Sequence, residues 1–234
     1  MRNILKRKYI GFSLVEMLLT VLLLSIIMML VTITLNTVIK VSQASNSKNT
    51  TRADMTYIMD YIKRGLTNSQ IEYIYIYDSL SNRYISTDSG QLKVSTDGDV
   101  SDIYADGKAG NMDSFDNANE IHFKMYGYDV WTCIGYFKDV TGEYGYIVRN
   151  IHGDLDVGHS SCFGEGEVVT PLHSFMVDTK SFSIDYLQVA DNKNSMFIID
   201  ATLQPLYWPV KETFPITREI SRQSVVSTEA LTWY

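Results

Sequence analysis

The sequence predicts an α+β protein in which one long N-terminal helix packs on an antiparallel β-sheet head. Residues 12–64 contain neither glycine nor proline, so a single helix of about 80 Å is permitted there. The first part of this run, residues 17–35, is apolar and carries no charge. After Asn68 the chain changes to short segments rich in β-branched and aromatic residues, bounded by Gly, Asp, Asn or Pro, which is typical of strands.

The first half of the predicted helix is long enough to cross a membrane. At about 1.5 Å per residue, residues 17–39 span the roughly 30 Å of a hydrocarbon core. The stub ahead of them has four basic residues and no acid: Arg2, Lys6, Arg7 and Lys8. Positive charge of this kind stays on the cytoplasmic side. We therefore expect a single pass through the inner or cell membrane, with the head outside the cytoplasm.

A lone carboxylate, Glu16, stands at the start of this apolar segment. A charged side chain costs about 2.5 to 3.5 kcal/mol at the bilayer centre and less toward the headgroups, so such acids usually face a partner. The next basic residue along the chain is Lys40, which is out of helical reach. Cleavage between Gly11 and Phe12 would create an α-ammonium near Glu16 or supply one on a neighbouring copy. The sequence thus predicts that Glu16 pairs with a newly exposed amine.

Residues 8–16, followed by the apolar helix, resemble the prepilin signature of type IV pilins and type II secretion pseudopilins. The resemblance implies that a prepilin peptidase cleaves after Gly11, that Phe12 is N-methylated, and that Glu16 guides subunit docking into a filament.

Two plainer interpretations compete with the prepilin one. A secretory signal peptide could be cut after Ala44, but its apolar region is usually only about 7 to 15 residues long. A plain signal anchor explains the charge and the length and gives Glu16 no role.

The overall layout also resembles the large minor subunits, namely J-type pseudopilins, W-type minor pilins and competence pilins. The resemblance rests on residues 57–64 before the first strand, on a hairpin ending at residues 148–150 and on a late strand at 214–222. It implies a pilin fold and action in filament initiation or at the tip. The implied partners are other pilin or pseudopilin subunits, the peptidase and a membrane assembly platform. The alternative is a permanently membrane-anchored extracellular protein that binds a ligand or acts in adhesion.

The second half of the helix carries an apolar stripe for the head. Five residues recur at helical spacing: Met55, Ile58, Met59, Ile62 and Leu66. Residues 42–51 are rich in Ser, Asn and Thr and predict either a flexible joint or a solvated turn of helix. The expected organisation is a leader at 1–11, an assembly helix at 12–41, an amphipathic helix at 42–66 and a β-rich head at 67–234.

Seven strands are predicted in the head: 71–78, 121–126, 130–137, 144–150, 182–189, 196–203 and 214–221. The turn at residues 139–143 joins two of them into a hairpin. The sixteen tyrosines are interpreted as packing on strand faces and not as a binding platform.

The net charge limits which partners are expected, and the two cysteines are informative about the compartment. The net charge is −7, and loss of the basic stub makes it −11, so strong nonspecific nucleic-acid binding is not expected. Cys133 and Cys162 can form a disulfide outside the cytoplasm, closing a loop of about thirty residues, or remain two separate buried thiols.

The acidic segment at residues 96–120 raises the question of a metal site. Asp97, Asp99 and Asp102 could supply oxygen ligands to calcium, although their spacing does not match an EF-hand. The alternative is a solvated acidic loop. The four histidines lack a zinc-ligand spacing, and there is no phosphate loop or Gly-x-Ser-x-Gly elbow. We therefore expect neither a cofactor nor an enzyme.

Overall fold

The computed structural model describes residues 12–78, 83–96, 114–153, 162–189, 194–210 and 217–229. These residues form one helix, α1 (Leu14–Thr67), and eleven strands. The strands are β1 (Ser69–Tyr77), β2 (Arg83–Asp88), β3 (Gln91–Thr96), β4 (Ser114–Ala118), β5 (Glu120–Met125), β6 (Trp131–Asp139), β7 (Gly145–His152), β8 (Val168–Pro171), β9 (Val177–Val189), β10 (Asn194–Pro205) and β11 (Ile220–Glu229). The predicted α+β class is confirmed.

The helix α1 runs for 54 residues without a break, from the N-cap Ser13 to the C-cap Asn68. It continues through residues 42–51, so the loosened joint predicted there is not seen. The head contacts this segment, because Lys48 Nζ donates to the Thr217 carbonyl at 3.0 Å. These contacts and the regular helical hydrogen bonds outweigh the poor helix propensity of the Ser and Asn residues.

The head contains two sheets and not the single sheet that was predicted. Four strands form an antiparallel sheet in the order β11-β10-β9-β4. Seven strands form the other in the order β1-β5-β6-β2-β3-β8-β7, and β6 also pairs with β7. Strands β6, β2, β3, β8 and β7 therefore close into a ring. The one parallel pair in the described sheets, β2 with β6, closes this small barrel and makes the sheet mixed.

Two apolar cores result from this arrangement. The first lies between α1 and the sheets, where the predicted stripe from Met55 to Leu66 is fully buried against residues such as Ile74, Phe123 and Phe197. The second fills the barrel and contains Phe137 and Phe163. The second half of the helix therefore packs on the head through this stripe.

The predicted strands are confirmed to within a few residues for β1, β5, β6, β7 and β10, and β9 begins five residues earlier than expected. Strands β2, β3, β4 and β8 were not predicted. The predicted last strand at 214–221 is misplaced, because β11 begins at Ile220 and residues 211–216 lie outside the described ranges. Strand β11 is polar on both faces apart from Ile220, Val225 and Val226, so its sequence shows no apolar alternation.

Candidate functional site

The first half of α1 presents an uncovered apolar surface. Every residue from 12 to 43 is exposed, and large side chains such as Leu14, at 79 %, and Met29, at 67 %, have no neighbour from the head. By length and composition this helix could cross a membrane. An apolar surface of this extent marks contact with a membrane or with other proteins.

Five hydroxyl groups within this surface are satisfied by the helix itself. Each donates to a backbone carbonyl three or four residues earlier, at 2.7 to 3.0 Å: Thr20, Ser25, Thr32, Thr34 and Thr37. Such internal bonds let hydroxyl groups enter hydrocarbon without a partner from another chain. These residues therefore do not interrupt the apolar character of the helix.

The helix begins with a capping box formed by Ser13 and Glu16. The Ser13 backbone N–H donates to Glu16 Oε2 at 3.0 Å, and the Val15 N–H donates to Ser13 Oγ at 3.2 Å. A carboxylate in the first helical turn also interacts favourably with the helix dipole. Glu16 thus has an uncharged partner in its own chain, although it has no ion pair among the described residues.

A cation was predicted as the partner of Glu16, and the cap with Ser13 was not predicted. The Ser-x-x-Glu spacing ahead of an apolar run was the signal that could have revealed it. Phe12 lies directly before the cap and is 75 % exposed. Gly11 and the basic stub lie outside the described residues, as do the calcium candidates Asp97, Asp99 and Asp102.

The predicted disulfide between Cys133 and Cys162 is confirmed. It joins β6 to the segment before β8 inside the barrel, with the two Cα atoms 6.2 Å apart and both residues fully buried. A ring nitrogen of His122 and the two sulfur atoms lie within 4.8 Å of one another, which is close enough for three ligands of one metal ion. Because the sulfurs are bonded to each other, the thiolates that would bind a metal are not present, and the group is a cross-link.

A buried charged cluster beside the disulfide was not predicted. Arg83 Nη1 lies 3.0 Å from Glu120 Oε2, both side chains are fully buried, and His122 Nε2 contacts Glu120 Oε1 at 2.5 Å. The carboxylate of β5 thus binds β2 of the barrel. The sequence offers no signal for it, since the pairing joins residues 37 positions apart and such charges are usually exposed.

Together these features define a protein with one long helix, whose first half is suited to a membrane and whose second half carries a β-rich head. A family model described as the prokaryotic N-terminal methylation motif matches residues 6–32. With the exposed apolar helix behind it, this match supports a type IV prepilin-like protein, of the pilin or pseudopilin kind. No curated protein and no solved structure matched the chain.

Proposed function

We propose that this protein is a minor pilin or pseudopilin, a structural subunit of a type IV pilus-like filament that acts in initiation or at the tip. The observation that carries the proposal is the contrast within α1: about thirty exposed residues precede a half that is packed on the head. Before assembly the exposed half lies in the membrane. In the filament it packs against the equivalent helices of neighbouring subunits.

Processing converts the membrane form into the assembling form. Prepilin peptidase cleaves between Gly11 and Phe12, which removes the basic stub that holds the N-terminus at the cytoplasmic face, and Phe12 is then N-methylated. The cleaved chain interacts with the membrane assembly platform, which brings it to other pilin or pseudopilin subunits. The head faces the outside of the cell throughout, and the filament is displayed at the cell surface.

Glu16 is proposed to dock each incoming subunit by forming an ion pair with the α-ammonium of a neighbour's Phe12, whose N–H groups donate to the carboxylate. Its position in the first turn of α1 supports this role, because the capping box fixes the carboxylate next to the new N-terminus. The cap uses Oε2, and a carboxylate accepts about four hydrogen bonds, so the same group can cap its own helix and bind an amine. The pair would form in an apolar environment, where charges attract strongly.

The proposal is tested by sequencing the mature N-terminus and measuring filament incorporation in cells with a working prepilin peptidase. We expect the wild-type chain to begin at N-methyl-Phe12. Glu16→Ala should keep that N-terminus but lose most incorporation, whereas Gly11→Trp should retain the stub and begin at Met1. Glu143→Ala, which removes an exposed acid from the turn before β7, is the matched control and should assemble normally.

Other N-termini would contradict the proposal. A wild-type chain that begins at Met1 indicates a permanently anchored protein whose head binds a ligand, and a chain that begins at Ser45 indicates a secreted domain. Normal incorporation of Glu16→Ala would refute the docking role of this carboxylate.

A further inference from the structure

The turn between β5 and β6 lies at the C-terminal end of α1. The Tyr126 backbone N–H donates to the carbonyl of the C-cap Asn68 at 2.8 Å, and Ser69 pairs with Met125. A helix of 54 residues is about 80 Å long. The turn is therefore at the opposite end of the helix from Phe12, far from the membrane-spanning segment.

A cavity of about 400 Å³ opens at this turn, lined by Tyr73, Lys124, Tyr126, Gly127, Tyr128 and Asp129, among others. The three tyrosines are 43 %, 64 % and 58 % exposed in chain order. Tyr126 and Tyr128 lie between β5 and β6 and therefore depart from the prediction that the tyrosines pack on strand faces, whereas Tyr73 lies in β1. Exposed rings grouped around a cavity mark a binding surface better than single exposed apolar residues do.

Two charged groups flank the rings. Lys124 Nζ lies 3.4 Å from Asp129 Oδ1 and 6.0 Å from the centre of the Tyr73 ring. An ion pair this exposed contributes little to stability. It does place a strong hydrogen-bond donor and a strong acceptor side by side at the mouth of the cavity.

The Tyr73 ring and the backbone of the turn are held in place before any ligand arrives. The Trp131 ring packs edge-on against Tyr73, with the centroids 6.3 Å apart, and against Tyr75 at 5.6 Å. In the turn, Gly127 has a φ of +79°, which suits glycine, and the Tyr128 N–H donates to the Met125 carbonyl at 3.1 Å. A preformed site loses less conformational entropy on binding, and tyrosine adds contact area at low entropic cost.

We propose that this membrane-distal cavity binds carbohydrate. The C–H faces of a pyranose ring would stack on Tyr126 and Tyr128, and its hydroxyl groups would accept from Lys124 and donate to Asp129. A purely apolar ligand would displace water from Lys124 and Asp129 without replacing its hydrogen bonds, which is unfavourable. Nucleic acid fits poorly, because the chain is acidic overall and the cavity offers one cation beside one anion.

The site goes beyond the proposed filament function, because it needs neither processing nor assembly. Saturation-transfer NMR on the full chain in lipid nanodiscs measures binding of glucose, galactose, mannose and oligomers of N-acetylglucosamine. We expect transfer to the ring protons of at least one sugar. The double variant Tyr126→Ala/Tyr128→Ala should weaken binding of that sugar at least tenfold, with an unchanged melting temperature because both side chains are exposed.

Tyr207→Ala is the matched control, since Tyr207 is 57 % exposed and its hydroxyl bonds to Gln43, a helix residue far from the cavity. It should bind the sugar as the wild type does. The absence of transfer from every sugar would overturn the proposal, as would undiminished binding by the double variant or recognition of peptide in place of sugar. A chain that binds sugar but begins at Met1 refutes the filament function alone, and a processed chain that binds none refutes only this site.

Discussion

The two halves of α1 have similar aliphatic residues but different surroundings. Residues 12–43 are exposed on all sides, whereas between residues 44 and 67 one stripe is fully buried by the sheets. Ile27 is 58 % exposed and Ile62 is 0 % exposed, although the side chains are identical. Burial in this helix is therefore decided by its neighbours, and hydrophobicity alone does not distinguish the half that stabilises the head from the half that remains available.

The polar residues show how the sequence encodes this difference. In the second half, exposed charged side chains such as Arg52, Asp60 and Lys63 occupy the face opposite the stripe. A helix with one apolar face suits a boundary between water and a core, while one that is apolar all round suits lipid or the interior of a helical bundle. The surface of the first half is therefore of the kind found on buried helices, although in the single chain no other part of the protein covers it.

The largest difference is expected between shortening an isoleucine in the buried half and shortening one in the exposed half. Ile62→Ala removes buried methyl and methylene groups and should lower the free energy of unfolding of the head by about 2 to 5 kcal/mol. Ile27→Ala should change it by less than about 0.5 kcal/mol, as for other exposed positions. Denaturant titration of the full chain in detergent, followed by tryptophan fluorescence, measures both. Equal losses would contradict the separation of the two halves.

A smaller effect is expected where the helix approaches the sheet most closely. The Cα of Gly65 lies against the ring of Phe123, and a Cβ at this position would overlap the ring. Gly65→Ala should destabilise the head by about 1 to 3 kcal/mol, reduced somewhat by the higher helix propensity of alanine.

Gly153→Ala is its control, because a Cβ there meets no atom within 4 Å. The same denaturant titration should find its free energy of unfolding within about 0.5 kcal/mol of the wild type. A stable Gly65→Ala variant would show that Phe123 can move away and that the contact is loose.

The smallest effect concerns pH and the segment that holds the buried half. His173 Nδ1 donates to the Ser174 carbonyl at 3.0 Å, so Nε2 is the acceptor for the Ile147 N–H, and Ser174 in turn donates to Asp54 of α1. Burial lowers the pKa of His173, against the opposing effects of the Ser174 hydrogen bond, Asp54 and Asp178. The neutral ring is therefore the form that suits the folded head.

Because the folded pKa of His173 lies below its ordinary value of 6.5, its contribution to stability is complete above that pH and declines as the pH falls through it. Unfolding free energies measured between pH 7.5 and 5 should show this decline. His173→Gln should flatten the profile, whereas His152→Gln, at the end of β7, should leave it unchanged. An unaltered profile in His173→Gln would assign the acid sensitivity to other groups.

The sequence predicted the features that depend on local pattern. The helix could be predicted because residues 12–64 lack glycine and proline. The stripe from Met55 to Leu66 could be predicted because its spacing is helical. Strands with a clear apolar face, such as β6, were readable for a similar reason. The hairpin of β2 and β3 was missed because only Ile85, Leu92 and Val94 face the barrel core and the rest is polar. The parallel pairing of β2 with β6 joins distant residues, so no local pattern reveals it.

The candidate site divides in the same way. The N-terminal signature was recognised from consecutive residues, and the matching motif at 6–32 supports it. The Ser13–Glu16 cap was also local and could have been read. In contrast, the distal cavity gathers Tyr73 from β1 and Tyr126 from the turn after β5, which are brought together by antiparallel pairing. Strand register of this kind is not fixed by composition.

The unbroken course of α1 has a mechanical consequence. From Leu14 to Arg64 the helix contains neither proline nor glycine, so it lacks the usual sites of kinking, and tension on its N-terminal end would be carried along the rod to the head. The contacts between helix and head are distributed along the second half of the helix. They include the packed stripe and hydrogen bonds such as Lys48 to Thr217 and Arg222 to Thr56. Tension along the helix axis would load them together, so they would share the force instead of being pulled apart one after another.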